Sequence, residues 1–131
     1  MNTRIIRVDL AERSYDVVVG RGVGARIDDF LPAAARRVAV VTEASLPYRI
    51  TTGMEHAVSF IDPGEENKSL ASVEALCRQF ARGGLTRNDV VVAVGGGLVT
   101  DVAGFAAAVW HRGTPVVHVP TTLLGMVDAA I

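Results

Sequence analysis

The stretch AVGGGLVTDVAGF, Ala93 to Phe105, decides how the rest of the chain reads. It continues the apolar run that begins "DVVV", then places Gly95, Gly96 and Gly97 in a row before a second apolar segment. A short apolar run closed by glycines reads as a buried strand entering a tight turn, and Leu98 to Val109 reads as the helix that follows. Three glycines raise the chain entropy lost on folding, so the turn must need something that only a missing Cβ provides. Either the backbone bends sharply there, or another object comes too close for a side chain.

Working outward, strands and helices alternate. "RIIRVDL" and "YDVVVG" predict two strands joined by a polar turn around "AERS", a hairpin. Val23 to Leu31 predicts a short helix ended by Pro32. The apolar run Val38 to Val41 predicts a strand covered on both faces, as in parallel sheets. "HAVSFIDPG" predicts another strand, and "TPVVHVPTT" one more, with a helix beginning at Leu123. Ser69 to Arg82 is the clearest helix. Leu70, Val73, Leu76, Cys77, Phe80 and Ala81 keep three-and-four spacing, Ser69 caps the start and Gly83-Gly84 stop it. The fold class is therefore α/β, a mainly parallel Rossmann-like sheet with flanking helices and an amino-terminal β-hairpin.

Bulk composition bounds the rest. The 131 residues make one domain's worth of chain, half hydrophobic, with a net charge of −1. That balance gives no electrostatic reason to expect nucleic acid or an anionic membrane, and Arg36-Arg37 reads as a solvated edge. Cys77 is the single cysteine, which fits a reducing, cytoplasmic setting and excludes a CxxC metal site. The spacing makes it a core residue. His56, His111 and His118 lack metal-ligand spacing, and His118 reads as a satisfied core histidine. The amino terminus is no signal peptide, and the apolar stretches are too short to span a bilayer.

The glycine turn sits where open α/β sheets bind ligands, and bare amides at a helix start suit phosphate oxygens. Gly95-x-Gly97-x-x-Thr100 falls short of the dinucleotide fingerprint, since threonine replaces the last glycine and no acid follows about 20 residues on. Asp101 either complements the helix dipole or holds a ligand hydroxyl. Thr121 and Thr122 open another helix after Pro120, and Asp128 is an acid among small apolar residues that needs a partner or a ligand. Arg112 is either a surface arginine or an anion clamp.

Taken in order, "PGEENKS", "GGGLVTDVAGFAAA", "HRG" and "VPTTLLGMVDAAI" resemble the sugar-phosphate cyclase family and, within it, the 3-dehydroquinate synthases. The resemblance covers nearly the whole chain. It implies an NAD-binding α/β domain, residues 1–131, ahead of a mostly helical domain that this chain lacks. Glu43 matches the position that meets the adenosine ribose, and Glu65 and Lys68 match cofactor contacts. Gly96, Gly97, Leu98, Val99, Thr100 and Asp101 match the pyrophosphate turn, and Thr121 and Thr122 the nicotinamide half. Asp128 matches a substrate-region acid. Arg112 matches an arginine lent to the substrate phosphate of a neighbouring subunit, implying a homodimer.

The implied reaction converts 3-deoxy-D-arabino-heptulosonate 7-phosphate to 3-dehydroquinate and phosphate, in the shikimate pathway, with NAD oxidising the substrate transiently. The implied zinc or cobalt ligands lie beyond Ile131, so the chain reads as an apparent fragment, inactive alone. Other cyclases (valiolone or inosose synthases), an iron- or zinc-dependent alcohol or glycerol dehydrogenase, and a non-catalytic nucleotide-binding module are the alternatives. The stretch between "VVTEASL" and "HAVSFID" is shorter than the helix many relatives carry there.

Overall fold

A computed structural model describes residues 2–131. Four strands form one parallel sheet: β3 (Arg37–Glu43), β4 (Glu55–Ile61), β5 (Val90–Gly95) and β6 (Val116–Pro120), in the order β4-β3-β5-β6. β1 (Arg4–Val8) and β2 (Tyr15–Val19) form a separate antiparallel hairpin, with Arg4 opposite Val19 and Val8 opposite Tyr15. Its polar turn is a 3-10 turn at Ala11–Arg13, and an Arg7–Asp16 ion pair of 2.9 Å ties the strands.

The central strands are apolar throughout because both faces are covered. One face buries Ala39, Val41, Val91 and Ala93 beneath α1 (Leu70–Arg82) and α2 (Gly97–Val109). The other buries Val38, Val40, Val90, Val92 and Val94 beneath Ile27, Leu31, Ile50 and Met54, which come from a 3-10 segment and loops. That segment, Val23–Phe30, is the predicted short helix, but it kinks at Arg26 and winds as 3-10. Gly24, Asp28 and Asp29 are weak α-helix formers. Asp28 instead accepts hydrogen bonds from the Thr52 hydroxyl and, at 2.8 Å, the Gly53 N–H. Residues 44–54, joining β3 to β4, form no helix, in line with the short stretch noted in the sequence.

α1 starts where Ser69 accepts from the Ser72 N–H at 3.2 Å. It ends in a Schellman turn, Leu85 N–H to Phe80 O and Gly84 N–H to Ala81 O, with Gly84 at φ +69°. The buried stripe is narrower than the spacing predicts. Val73, Leu76 and Phe80 are buried and Cys77 is half-buried, but Leu70 and Ala81 are exposed, because only the middle turns face the core. Phe80 meets the Trp110 ring edge-on at 6.0 Å, and truncating such a buried ring costs about 3–5 kcal/mol. α3 (Leu123–Val127) is a short helix capped by Thr122, whose hydroxyl accepts from Gly125 N–H at 3.0 Å. No helix among the described residues is long and apolar enough to cross a membrane.

Candidate functional site

In a parallel sheet every strand-to-helix turn falls on the carboxyl edge and every helix-to-strand turn on the amino edge. Topology thus gathers the residues that end β3, follow β4, follow β5 and follow β6 along one edge. Glu43, Glu65, Lys68, the glycine turn with Asp101, and Thr121-Thr122 all lie there. The sequence separates them by up to 79 positions; the sheet makes them neighbours.

The three glycines do three different things. A Cβ on Gly95 (φ +158°) would stand 2.7 Å from Val99 Cγ2, so this glycine lets α2 pack onto its own strand. A Cβ on Gly96 would stand 3.1 Å from Thr122 Cγ2, so it admits the start of α3. A Cβ on Gly97 would meet nothing within 4 Å. Only Gly97 faces open space.

α2 also begins without a side-chain cap, unlike α1 and α3. Thr100 N–H bonds Gly96 O at 3.1 Å, leaving the N–H groups of Gly97, Leu98 and Val99 without main-chain partners among the described residues, at the positive end of a 13-residue helix. The Val99 and Thr100 side chains are buried, and the Thr100 hydroxyl donates to Gly96 O at 3.0 Å. Neither side chain reaches the open space: Val99 offers it only a main-chain N–H, and the Thr100 N–H is already taken by Gly96 O.

Lys68 bridges the loop after β4 to α2. Its ammonium stands 2.9 Å from Asp101 and 3.4 Å from Glu65. The hydrogen bond to Asp101 does most to hold the Lys68 pKa above its ordinary value, with Glu65 adding attraction against some desolvation. Lys68 is thus a fixed cation at neutral pH. At the end of β3, the half-buried Glu43 accepts a 2.9 Å hydrogen bond from Ser45. Ser45 was not singled out in the sequence; its signal was a hydroxyl two residues past an acid at a strand end. Thr121 N–H bonds Gly95 O at 3.0 Å, which fixes the start of the α3 turn against the glycine turn.

Two expectations change. Asp128 stands at the C-cap of α3 and is exposed, so solvent meets its charge and burial demands no partner. His118 is not satisfied: its Nδ1 is buried with no hydrogen-bond partner among the described residues, and its ring packs against Gly104, where a Cβ would come 3.3 Å from Cε1. Burial pushes its pKa down, and Asp101 only partly offsets this. Cys77, half-buried in the core, has its thiol pushed up by the same desolvation.

Arg112 lies on the other edge. It follows α2, whose 13 residues span about 20 Å, so it cannot join the glycine turn within one chain. His111 and Arg112 both hold positive φ, 48° and 65°, before Gly113. Each left-handed residue costs about 1 kcal/mol, offset by bonds from Gly113 N–H to Trp110 O (2.9 Å) and Thr114 N–H to Ala107 O (2.8 Å). Among the described residues no three of His, Cys, Asp or Glu converge to hold a metal ion.

The four-stranded parallel sheet with its flanking helices and hairpin defines an α/β domain, and the uncapped helix start and the Lys68 cation lie at its carboxyl edge, where open α/β sheets bind ligands. Residues 58–131 match the family described as 3-dehydroquinate synthase N-terminal, and the chain belongs to that family. It is 51% identical over 127 residues to a protein of Amycolatopsis mediterranei provisionally named an aminodehydroquinate synthase, covering 96% of this chain and 36% of that one. It is 44% identical over 139 residues to a 3-dehydroquinate synthase of Nitrobacter winogradskyi, with the same two coverages. Among solved structures, 2-deoxy-scyllo-inosose synthase, complexed with carbaglucose-6-phosphate, NAD+ and Co2+, superposes with a TM-score of 0.84 at 26% identity, covering 96% of this chain and 38% of that one. The 2-epi-5-epi-valiolone synthase of Streptomyces hygroscopicus, with NAD+ and Zn2+ bound, gives 0.75 at 33%, covering 95% and 37%. The chain thus spans a little over a third of the length of these relatives.

Proposed function

We propose that this chain is the NAD+-binding α/β domain of a sugar-phosphate cyclase, with 3-dehydroquinate synthase as the leading reading. One observation carries it: the open face of Gly97 adjoins three unpartnered N–H groups and the Lys68–Asp101 pair. A backbone cradle that a Cβ would fill, at a helix's positive end, suits the diphosphate of a dinucleotide. When bound, NAD+ supplies a hydride acceptor that returns its hydride before the product leaves.

The chain's own groups then have distinct tasks. Gly97, Leu98 and Val99 donate N–H to phosphate oxygens. Glu43, held by Ser45, accepts from the adenosine ribose hydroxyls. Lys68 is held in place by Asp101 and Glu65, and Thr121 and Thr122 line the nicotinamide side. Asp128, exposed at the end of α3, is free to meet substrate, and Arg112 serves the substrate phosphate of a second subunit in a homodimer. The fold's opposite edges support that last assignment, since one chain cannot bring Arg112 to its own glycine turn. The zinc or cobalt carried by relatives does not fit the residues described, so no step through a metal is assigned to them.

A second reading, a cyclase of the inosose or valiolone type, draws on the structural likeness to those enzymes. Titration of the chain with NAD+ and a phosphate-release assay on the whole protein test both. Saturable NAD+ binding, with phosphate released from the heptulosonate phosphate and no net NADH, supports the leading reading. Phosphate release only from a hexose or heptose phosphate precursor of those cyclitols moves the assignment to the second. Net NADH with a simple polyol refutes both in favour of a dehydrogenase.

A further inference from the structure

Residues 44–54 pass from the end of β3 to the start of β4 with no helix or strand of their own. Such a segment has no ladder to take up its main-chain carbonyls, so other donors must. One side chain supplies several of them. Arg49 donates from Nη2 to Ala44 O at 3.1 Å, and from Nη1 to Tyr48 O at 3.0 Å and to Leu46 O. Leu46 N–H closes the turn on Glu43 O at 3.0 Å. The guanidinium therefore ties down the peptide group joining Ala44 to Ser45, directly between the Glu43 acid and the Ser45 hydroxyl that holds it.

β4 anchors the other side of Arg49. Its guanidinium lies 5.7 Å from the centre of the Phe60 ring, within cation–π range. Phe60 stands opposite Thr42, one residue before the Ile61–Glu43 pair, so the ring lies beside the end of β3. The sheet face is open there, with Val58 43% and Phe60 50% exposed. Leu46 and Ile50, on either side of Arg49, pack into the core around Val38 and Val40. Arg49 enters no ion pair among the described residues, so three carbonyls and a ring face meet its charge in place of a carboxylate. Glu43 enters none either, which leaves its carboxylate open to a ligand hydroxyl.

We propose that Arg49 is a positioning residue for the ribose end of the dinucleotide site: by gathering the Ala44, Leu46 and Tyr48 carbonyls beside Phe60, it fixes the direction of the Glu43 carboxylate. The inference rests on the reading of Glu43 as the acceptor of the adenosine ribose hydroxyls. A planar guanidinium fork holds several carbonyls at once, whereas a lysine ammonium keeps the charge without that geometry. Calorimetric titrations of the protein with ADP-ribose test it, using Arg49→Lys, Glu43→Gln and the double variant. Arg49→Lys is expected to weaken ADP-ribose by about fivefold or more, and Glu43→Gln by about tenfold. The double variant is expected to stay within about twofold of Glu43→Gln, because a misdirected carboxylate and a missing one lose the same contact. A residue that only stabilised the loop would give the product of the two losses, and that result overturns the inference. Wild-type binding by Arg49→Lys, with Glu43→Gln weakened, also overturns it and leaves the ribose reading standing. Glu43→Gln that binds as the wild type does, or no saturation of the wild type up to about 10 mM, refutes the ribose reading and this inference with it.

Discussion

Gly97→Ala separates folding from binding at the glycine turn. Gly97 is the first residue of α2, and a methyl group there meets nothing within 4 Å. Alanine lowers the entropy of the unfolded chain and suits a helix, a gain of about 0.5–1 kcal/mol. For a chain of this size that raises Tm by about 2–4 °C. The same methyl would occupy the space that the proposed diphosphate site offers beside the N–H groups of Gly97, Leu98 and Val99. A loss of about tenfold in NAD+ affinity, about 1.4 kcal/mol, is expected. Stability and binding therefore move in opposite directions. Gly95→Ala is the contrast: its Cβ would stand 2.7 Å from Val99 Cγ2, and the overpacking costs about 1–3 kcal/mol of stability. Differential scanning fluorimetry gives both Tm values, and calorimetry gives the NAD+ affinity. A Gly97→Ala protein that is more stable yet binds NAD+ as the wild type does would refute the assignment of that open face to the diphosphate.

Other outcomes follow from the same geometry. Asp101→Asn removes the ion-pair partner of Lys68; both side chains are at least 40% exposed, so Tm should hardly change while NAD+ binding weakens by about tenfold, read by calorimetry. Asp89→Asn strips charge from a buried acceptor of four hydrogen bonds and should cost about 2–4 kcal/mol in urea unfolding. Burial alone would raise the Asp89 pKa, but the N–H groups of Thr86, Arg36 and Arg37 with the Thr86 hydroxyl outweigh it and hold it below the usual value. Its contribution is accordingly complete above about pH 4 and lost as pH falls through the depressed value, a loss the Asn variant should not show. His118 is a base with a lowered folded pKa, so the unfolded chain binds the extra proton first. Stability should begin to fall as pH drops below about 6.5 and keep falling to the folded pKa, and His118→Gln should remove that slope from a pH series of melts.

Much of the fold was legible because its signals are short-range. The run Val90 to Val94 and the closing glycines define a buried strand and its turn, and Ser69 and Gly83-Gly84 mark the ends of α1. Period, caps and turn residues act within a few positions of themselves. Alternation of strand and helix then leaves few topologies other than a parallel sheet. The segment Val23–Phe30 was less legible, since its 3-10 winding answers to bonds from Thr52 and Gly53 more than 20 residues away.

The chain order alone determined that a glycine turn, two threonines and scattered charges would follow successive strands. Only the tertiary structure decided which of them share a place. Strand order β4-β3-β5-β6 lines Glu43, Lys68, Gly97 and Thr121 along one edge, while the length of α2 carries Arg112 to the other. It also divided the glycines, giving Gly95 to Val99, Gly96 to Thr122 and leaving Gly97 open. The physical reason is that a turn's conformation is set by its own residues, whereas its neighbours are set by which apolar faces can be buried together across the whole chain.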